Sequence, residues 1–481
     1  MQTFVQVLSE EERHQVHERS LRILAKTGVR VESARARTIL HEAGASVEEG
    51  THIVHFPRSL IEQALNSTPK NFSLGGRRPN WNISLNKGEC TLLADGEAIY
   101  VYDAEREERR LATHLDWVNS TRLIDALDEI GLYWCMVQET KETNTVGDFV
   151  AYWREVFTYT SKHVQDTSEN PEQSRWLLEI LQTIFGSQRT VRDVHPFSFL
   201  ICPLSPLIIE GPYTDAYLET IGWDIPLAIM PMPLMGTTGP GRLISTIVLG
   251  NCEVLSFLCL AQAAAQGVPV IYGPALAVAD PHSGRFGSGA VEHALLGAAV
   301  TEMGRYYGLP VEASTGGTDQ HTPGIQAAYE RAINWTLPAL SWPDILVGPG
   351  LLSGSTVLSY EQLLIDIEVF KRCRRLHQGI VTDEGKWLEG VIDKVGPGGN
   401  FLAQRSTRDG MRSGEWHLGS LGFQGTYENW LVNKPDILDE ARQRIRQILD
   451  THQPIPMDEA VVKELKYIEK RAWEMSTQQI R

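Results

Sequence analysis

The stretch LPVEASTGGTDQHTPGIQAAYE, residues 309–330, changes its periodicity halfway along. A short apolar run enters a glycine-rich turn, and apolar residues then return at helical spacing, so it reads as strand, turn and helix. Such a turn carrying Asp319, Gln320 and His321 in a row is either a capping device or the lining of a site. One unit of this kind does not define a fold, but its repetition does.

Working outward, the same rhythm runs from about residue 90 to residue 378. Strands are predicted at CTLLADG (90–96), LYWCMVQE (132–139), SKHVQD (161–166) and FSFLICPLSP (197–206). Four more follow at IPLAIMPMP (225–233), VPVIYGPA (268–275), LPVEASTGG (309–317) and DILVGPG (344–350). Helical periods fill 115–129, 146–160, 171–185, 243–266, 290–308, 324–340 and 360–378, with a short helix near 214–222. Eight βα units close a parallel barrel, so the expected fold is α/β, a (β/α)8 TIM barrel over 89–380. A doubly wound open sheet is the alternative, and it lacks a G-x-G-x-x-G after any strand.

Residues 1–88 read as a mostly helical N-terminal extension. Ser9 and Glu12 have capping-box spacing, and Gly28 suits a C-cap. His14 and His17 share a helix face without a third metal ligand near in sequence. Residues 381–481 form a C-terminal segment, Gly/aromatic-rich and then helical at 434–450 and 457–474. Trp416, Phe423, Tyr427 and Trp430 either pack that segment down, the default reading, or present an aromatic surface to a partner.

The formal charge of −16 over 481 residues argues against a nucleic-acid protein, whose footprint is basic. Six dispersed cysteines include no C-x-x-C pair, so zinc ribbons and dithiol chemistry are unsupported. The N-terminus has no apolar signal region, and no run approaches ~18 uninterrupted apolar residues. The expectation is a cytoplasmic protein with reduced thiols, without membrane or nucleic-acid partners, and a homo-oligomer.

In a barrel, functional groups belong to the C-terminal ends of the strands. Those ends carry Asp95-Gly96-Glu97, Gln138-Glu139, Gln165-Asp166, Pro203 to Pro206, Met230 to Pro233, Tyr272, Glu312 and Gly348-Pro349-Gly350. No lysine stands at such an end, Lys162 being at the opposite one, so a Schiff-base aldolase is disfavoured. Strand 4 offers no carboxylate to face Glu312 as a glycosidase would need. Asp280, His282, Asp319 and His321 match metal-hydrolase spacing poorly, so no tightly bound metal is expected. What remains suits a reaction whose nucleophile arrives from elsewhere.

The segments ICPLSPL, MPLMGTTGPGRL followed by LGNCEVL, GVPVIYG, EASTGGTDQHTPGIQAAYE and GPGGNFLAQRSTRDGMRSGEW resemble the trimethylamine methyltransferase superfamily, in order and over nearly the whole chain. The resemblance implies a (β/α)8 barrel that moves a methyl group from a methylated amine to the cobalt of a corrinoid (cobalamin) on a small partner protein. Trimethylamine-specific members carry pyrrolysine after strand 7. Matched on Asp319 and Gln326, that position falls at His321, so the chain is similar to the non-pyrrolysine branch, whose assigned members use quaternary amines such as glycine betaine. A Co(I) corrinoid is itself a strong nucleophile, and a quaternary ammonium leaves as a neutral amine without needing a proton.

On this reading the catalytic candidates are His321, Gln320 and Glu312. The substrate-binding candidates are Asp95, Glu97, Gln138, Gln165, Tyr272, Gly316, Gly317 and Asp319. Tyr272 and the carboxylates would meet the onium head, and the turns at 236–241 and 314–318 would offer N–H groups to a substrate carboxylate. Asp319 is expected chiefly to order its turn. Two alternatives remain at this stage: another methyl acceptor such as tetrahydrofolate, and a non-catalytic betaine-binding protein.

Overall fold

Short strands buried on both faces build the core. Ile130–Tyr133, His163–Asp166 and Phe197–Ile201 have no exposed position, the pattern of parallel strands covered inside and out. With Thr91–Leu93, Leu227–Ile229, Val270–Tyr272, Glu312–Ser314 and Ile345–Val347 they form one eight-stranded parallel sheet. We number these β1 to β8 in chain order, from Thr91–Leu93 to Ile345–Val347. β8 pairs with β1. A bridge between Tyr272 and Val311, with Tyr272 N–H donating to Pro310 O at 2.9 Å, joins β6 to β7 and closes the ring. The structure, a computed structural model, describes residues 5–48, 50–139 and 145–479.

All eight expected strands are present, each shorter than its apolar run. β2, for example, leaves the ladder after Tyr133 although the run continues to Glu139. The surplus residues are the ones that turn into the mouth.

Outside the ring lie α1 His114–Ala126, α2 Val146–Tyr159, α3 Pro171–Phe185, α4 Gly211–Leu218, α5 Leu243–Ala264, α6 Val291–Tyr306, α7 Ile325–Ser341 and α8 Tyr360–Gln378. Their ends follow local chemistry. Asn170 caps α3 by accepting from Gln173 N–H, Pro171 opens it, and Gly186 ends it at a φ of 83°. Thr113 with Asp116, and Thr145 with Asp148, form capping boxes on α1 and α2. α5 is long and apolar enough to cross a membrane, but it is packed inside the protein as a core helix. Lys162 Nζ, beneath β3, donates to Ile124 O, Leu127 O and Ile130 O at 2.7 Å each. It thereby seals the end of α1 to the start of β2.

The N-terminal extension is less purely helical than expected. Besides Glu10–Lys26, whose Ser9–Glu12 capping box forms, it contributes Val29–Val31 to a small sheet. That strand pairs with Ile53–His55 and, in parallel, with Ile208–Ile209 from the β4–α4 connection. Two further small sheets crown the mouth. The hairpin Tyr100–Asp103 and Glu108–Leu111 joins the loop after β8, and Leu234–Met235 pairs with Ala277–Val278.

The tail corrects the packing expectation. Helices Ile437–Thr451 and Glu459–Gln479 do lie on the barrel, against α1 and α8, and against α2 and α3, respectively. Between α8 and Ile437, however, Trp387, Leu402, Trp416, Phe423 and Tyr427 are exposed, and Trp430 is half-buried, stacked on Tyr427 at 5.8 Å. Polar anchors hold only one stretch of this segment: Ser420 and His417 bond Glu368, and Arg375 donates to Glu415 O. Those partners lie on the latter half of α8, at the end of the barrel opposite the mouth.

Candidate active site at the mouth of the barrel

Alternation along a strand decides which side chains enter the ring. On β3, His163 and Gln165 point inward, and Ser198 of β4 and Glu312 of β7 meet them there. Gln165 and Glu312 face each other across the interior, with Gln165 Nε2 2.8 Å from Glu312 Oε2 and both residues fully buried. Glu312 Oε1 has no hydrogen-bond partner. A buried carboxylate atom left unsatisfied is costly, so this atom marks a place prepared for a ligand or a proton.

The Asp95 charge reaches it, whereas Asp166, in register with the outward-facing Phe199 of β4, lies on the helix side of β3. Asp166, at the top of β3, accepts from Tyr152 Oη at 2.9 Å and from Thr167 N–H at 2.7 Å. Asp95 is half-buried in the turn after β1. Glu97 is exposed at the rim, its Oε1 3.4 Å from Trp134 Nε1. Burial, and then the neighbouring Glu97 charge, push Asp95 up to about 7 and Asp166 up to about 8. Burial pushes Glu312 up to about 8, with Asp95 adding to the rise and Gln165 opposing it. Glu97 is raised as well, although it is open to solvent on one side, because protein crowds the rest of its carboxylate. The Cys202 thiol beside this group is pushed up to about 12 by burial and then by Glu312, so it is not a nucleophile at neutral pH.

Acids raised by burial and by one another concentrate acidic groups at this end of the barrel. The nearest arginine, Arg331, is fully buried and committed elsewhere: it donates to Gly348 O and Leu351 O at 2.6 Å each and pairs with Asp366 at 3.2 Å. Among the described residues, no three side chains of His, Cys, Asp or Glu type gather closely enough to hold a metal ion. Carboxylates spread over the turn after β1 and the end of β7 suit a diffuse organic cation better than a compact metal.

The structure therefore brings together Glu312, Gln165, Asp95 and Glu97 of the candidates. It adds Trp134, beside Glu97, which carried no sequence signal; Asp166, from the strand-end inventory, and its partner Tyr152 stand apart from that group on the helix side of β3. Gln138 is exposed beyond β2.

Tyr272 is a correction. It points outward from β6 into the layer of helices, where its hydroxyl donates to Asn251 Oδ1 at 2.9 Å and its ring packs beside Tyr307. Gly316 and Gly317 are likewise packing positions. A Cβ on Gly316 would fall 2.2 Å from Val347 O, and one on Gly317 2.4 Å from Ser288 Cβ. The anion-cradle role for 314–318 also fails, because α7 begins only at Ile325.

Asp319 orders its surroundings as expected, but for the preceding helix. Its two carboxylate oxygens accept from Ser288 N–H and Gly289 N–H, at 2.9 and 3.1 Å, just ahead of α6. Glu330 of α7 holds the turn from below through Thr318 Oγ1 and Asp319 N–H. Gln320 and His321 lie at the rim. His321 is exposed, with Nδ1 2.8 Å from Ser353 Oγ in the loop after β8, and Gln320 O accepts from Ser353 N–H. They do not touch the carboxylate floor. A separate groove of about 860 Å³ between the first helix and α5 is reached by no strand end.

A family profile described as trimethylamine methyltransferase matches residues 2–476. Trimethylamine methyltransferase MttB of Desulfitobacterium hafniense is 31% identical over 463 residues, 96% of this chain and 92% of that protein. Glycine betaine methyltransferase of Desulfitobacterium hafniense strain Y51 is 28% identical, covering 98% of both. The crystal structure of the hydroxylamine MtmB complex shares the fold with a TM-score of 0.51 at 12% identity, covering 92% of this chain and 89% of that one.

Proposed function

This chain belongs to the trimethylamine methyltransferase family, and from that premise we propose that it transfers a methyl group from a quaternary amine to a Co(I) corrinoid brought by a small carrier protein. Glycine betaine is the preferred donor, by analogy with the betaine-specific relative. The observation that carries this reading is Glu312, buried with one carboxylate oxygen unpartnered near Asp95 and Glu97, while the neighbouring Arg331 is committed to Asp366. An onium head placed there meets diffuse negative charge and, at Trp134, an aromatic ring.

The protein's contribution is orientation. Holding one N–CH3 bond toward the open mouth turns a bimolecular encounter into a positioned one. The donor's positive charge vanishes as the methyl leaves, so carboxylates that bound it very tightly would oppose the reaction. Acids raised to about 7 and 8 give partial charge at neutral pH, which suits that balance. His321 and Gln320 are assigned to the rim, where the acceptor arrives, rather than to the donor.

The proposal extends to partners and place. The carrier must approach the mouth, and beside the β7 turn the rim continues into an apolar stripe on α7, Ile325, Tyr329 and Ile333, all exposed. We assign carrier docking to that stripe and self-association to the apolar segment 381–433, which faces away from the mouth. The setting is taken to be cytoplasmic.

The test mixes purified protein with chemically reduced Co(I) cobalamin and a panel of quaternary and tertiary amines, and follows the absorbance change to methyl-Co(III). Conversion with one betaine supports both reaction and donor. Binding of a betaine without conversion on any corrinoid, free or carrier-bound, would sink the corrinoid reading.

A further inference from the structure

The barrel interior holds a line of four polar side chains that the methyl-transfer reading leaves unexplained. At the bottom, His163 Nδ1 lies 2.8 Å from His195 O and 3.2 Å from Gly75 O. Its Nε2 lies 2.9 Å from Ser198 Oγ, which in turn is 3.0 Å from the Gln165 carboxamide. The other end of that carboxamide is 2.8 Å from Glu312 Oε2. His163, Ser198, Gln165 and Glu312 are all fully buried, so each bond must be made within the line.

Hydrogen bonds have a direction, and here the bottom of the barrel sets it. Two carbonyls can only accept, so His163 Nδ1 carries the proton. A second proton on Nε2 would bury an imidazolium with no carboxylate beside it, and burial holds His163 down at about 3. Nε2 is therefore a lone pair, and Ser198 spends its single hydroxyl proton on it. Ser198 Oγ can then only accept from Gln165, which must turn its Nε2 toward Ser198 and its Oε1 toward Glu312. As placed, Gln165 turns Oε1 to Ser198 and Nε2 to Glu312, but the two ends of a carboxamide are isosteric, so the network decides which end faces which, and it reverses that placement. A carbonyl oxygen facing Glu312 demands a donor.

We propose that this relay, His163 to Ser198 to Gln165, holds Glu312 as a neutral, proton-donating carboxylic acid in the ligand-free barrel. His163 and Ser198 are positioning residues. The orphaned Glu312 Oε1 fits, because an unpartnered carbonyl of an acid costs less than an unpartnered oxygen of an anion. The opposite direction is available only at a cost. If Glu312 loses its proton to water, Gln165 turns its Nε2 to the carboxylate, Ser198 turns its proton to Gln165 Oε1, and His163 Nε2 loses its donor.

A cation arriving at the floor supplies the drive for that reversal, so each cation bound should release a proton. This last step rests on the methyl-donor reading, whereas the direction of the relay does not. Around Glu312 the ionisable neighbours are Asp95 and Glu97 after β1 and Cys202 after β4, and around His163 the neighbour is His195.

Infrared difference spectra of the ligand-free protein, wild type against Glu312→Gln, isolate the carbonyl stretch of a protonated Glu312 and its titration. Ser198→Ala and His163→Leu free Gln165 to donate to the carboxylate, so each is expected to lower the midpoint by about one pH unit or more. His163→Gln donates to His195 O with one end and accepts from Ser198 with the other, and is expected to keep the wild-type midpoint. Circular dichroism checks that each variant folds.

The His163→Leu arm separates direction from burial, because a more apolar interior alone would raise the midpoint. A raised midpoint in His163→Leu overturns the proposal. So does an unchanged midpoint in Ser198→Ala, or the absence of the protonated band from the wild type at neutral pH. In the same protein, calorimetry with tetramethylammonium in buffers of different ionisation enthalpy reads proton release. A failure there with the infrared result intact would count against the onium site alone.

Discussion

At the floor of the mouth, Glu312 is fully buried with Asp95 half-buried close by. Along 381–433, Leu402, Tyr427 and Val432 stand in water with exposures of 81%, 66% and 76%. The two regions reverse the usual rule that apolar groups go inside and charges out. Each reversal costs free energy in the isolated chain, and on the function proposed above a cation would relieve the first and an apolar surface the second. The difference lies in what holds them. The floor is fixed by the ring of strands and by bonds such as Gln165 to Glu312, whereas the segment is fixed by a few polar anchors on α8 and by little apolar burial.

The comparison can be broken most severely at Glu312. Glu312→Gln removes a buried charge partner for the onium and is expected to weaken binding of glycine betaine by ~30-fold or more, read by calorimetry. Equal affinity would detach the floor from the ligand.

Next in size is the pH dependence. Glu312, Asp95 and Asp166 have folded pKa values raised above their unfolded ones, so the folded state holds extra protons between roughly pH 4 and 8. Stability is therefore expected to fall as pH rises through that window, by up to about 1.4 kcal/mol per unit for each fully titrating group. Denaturant titrations at pH 5.5 and 8 should show a smaller drop in Glu312→Gln than in the wild type. Cation affinity is expected to move the opposite way and tighten with pH.

Packing positions sharpen the contrast. Gly316→Ala forces a Cβ against Val347 O, with an expected cost of about 1–3 kcal/mol in thermal or denaturant unfolding. Tyr272→Phe should cost about 1 kcal/mol through the unpaired Asn251 Oδ1 and leave betaine affinity unchanged. The smallest effect is expected on the segment: Trp416→Ala should shift unfolding by less than about 0.5 kcal/mol. Leu402→Asp should instead change the mass seen by light scattering from an assembly to a single chain, and an unchanged mass would withdraw the self-association role.

The barrel was legible because its strands are buried on both faces and read as apolar runs between helical periods; even HVQD forms its strand. The rule about strand ends singles out Asp95, Glu97, Gln165 and Glu312, of which the structure bonds Gln165 to Glu312 with Asp95 close by. It misplaced Tyr272 because alternation, not position, sends a strand residue inward, and three residues of β6 do not reveal their phase. Trp134 and Tyr152 were invisible because their roles depend on partners distant in the chain. The exposed segment was misread for a related reason: an aromatic sequence specifies a need for burial without saying whose surface supplies it.

A ring of strands has no edge, yet this one has a clasp. Neighbouring strands elsewhere share two or three paired residues, as β4 and β5 do, while β6 and β7 meet at the Tyr272–Val311 bridge. Gly304 of α6 sits directly behind that junction, leaning on both Val311 and Tyr272. The amide of Tyr272 is thus the barrel amide whose exchange with deuterium should start earliest, and its rate would report how firmly the helices keep the hoop shut.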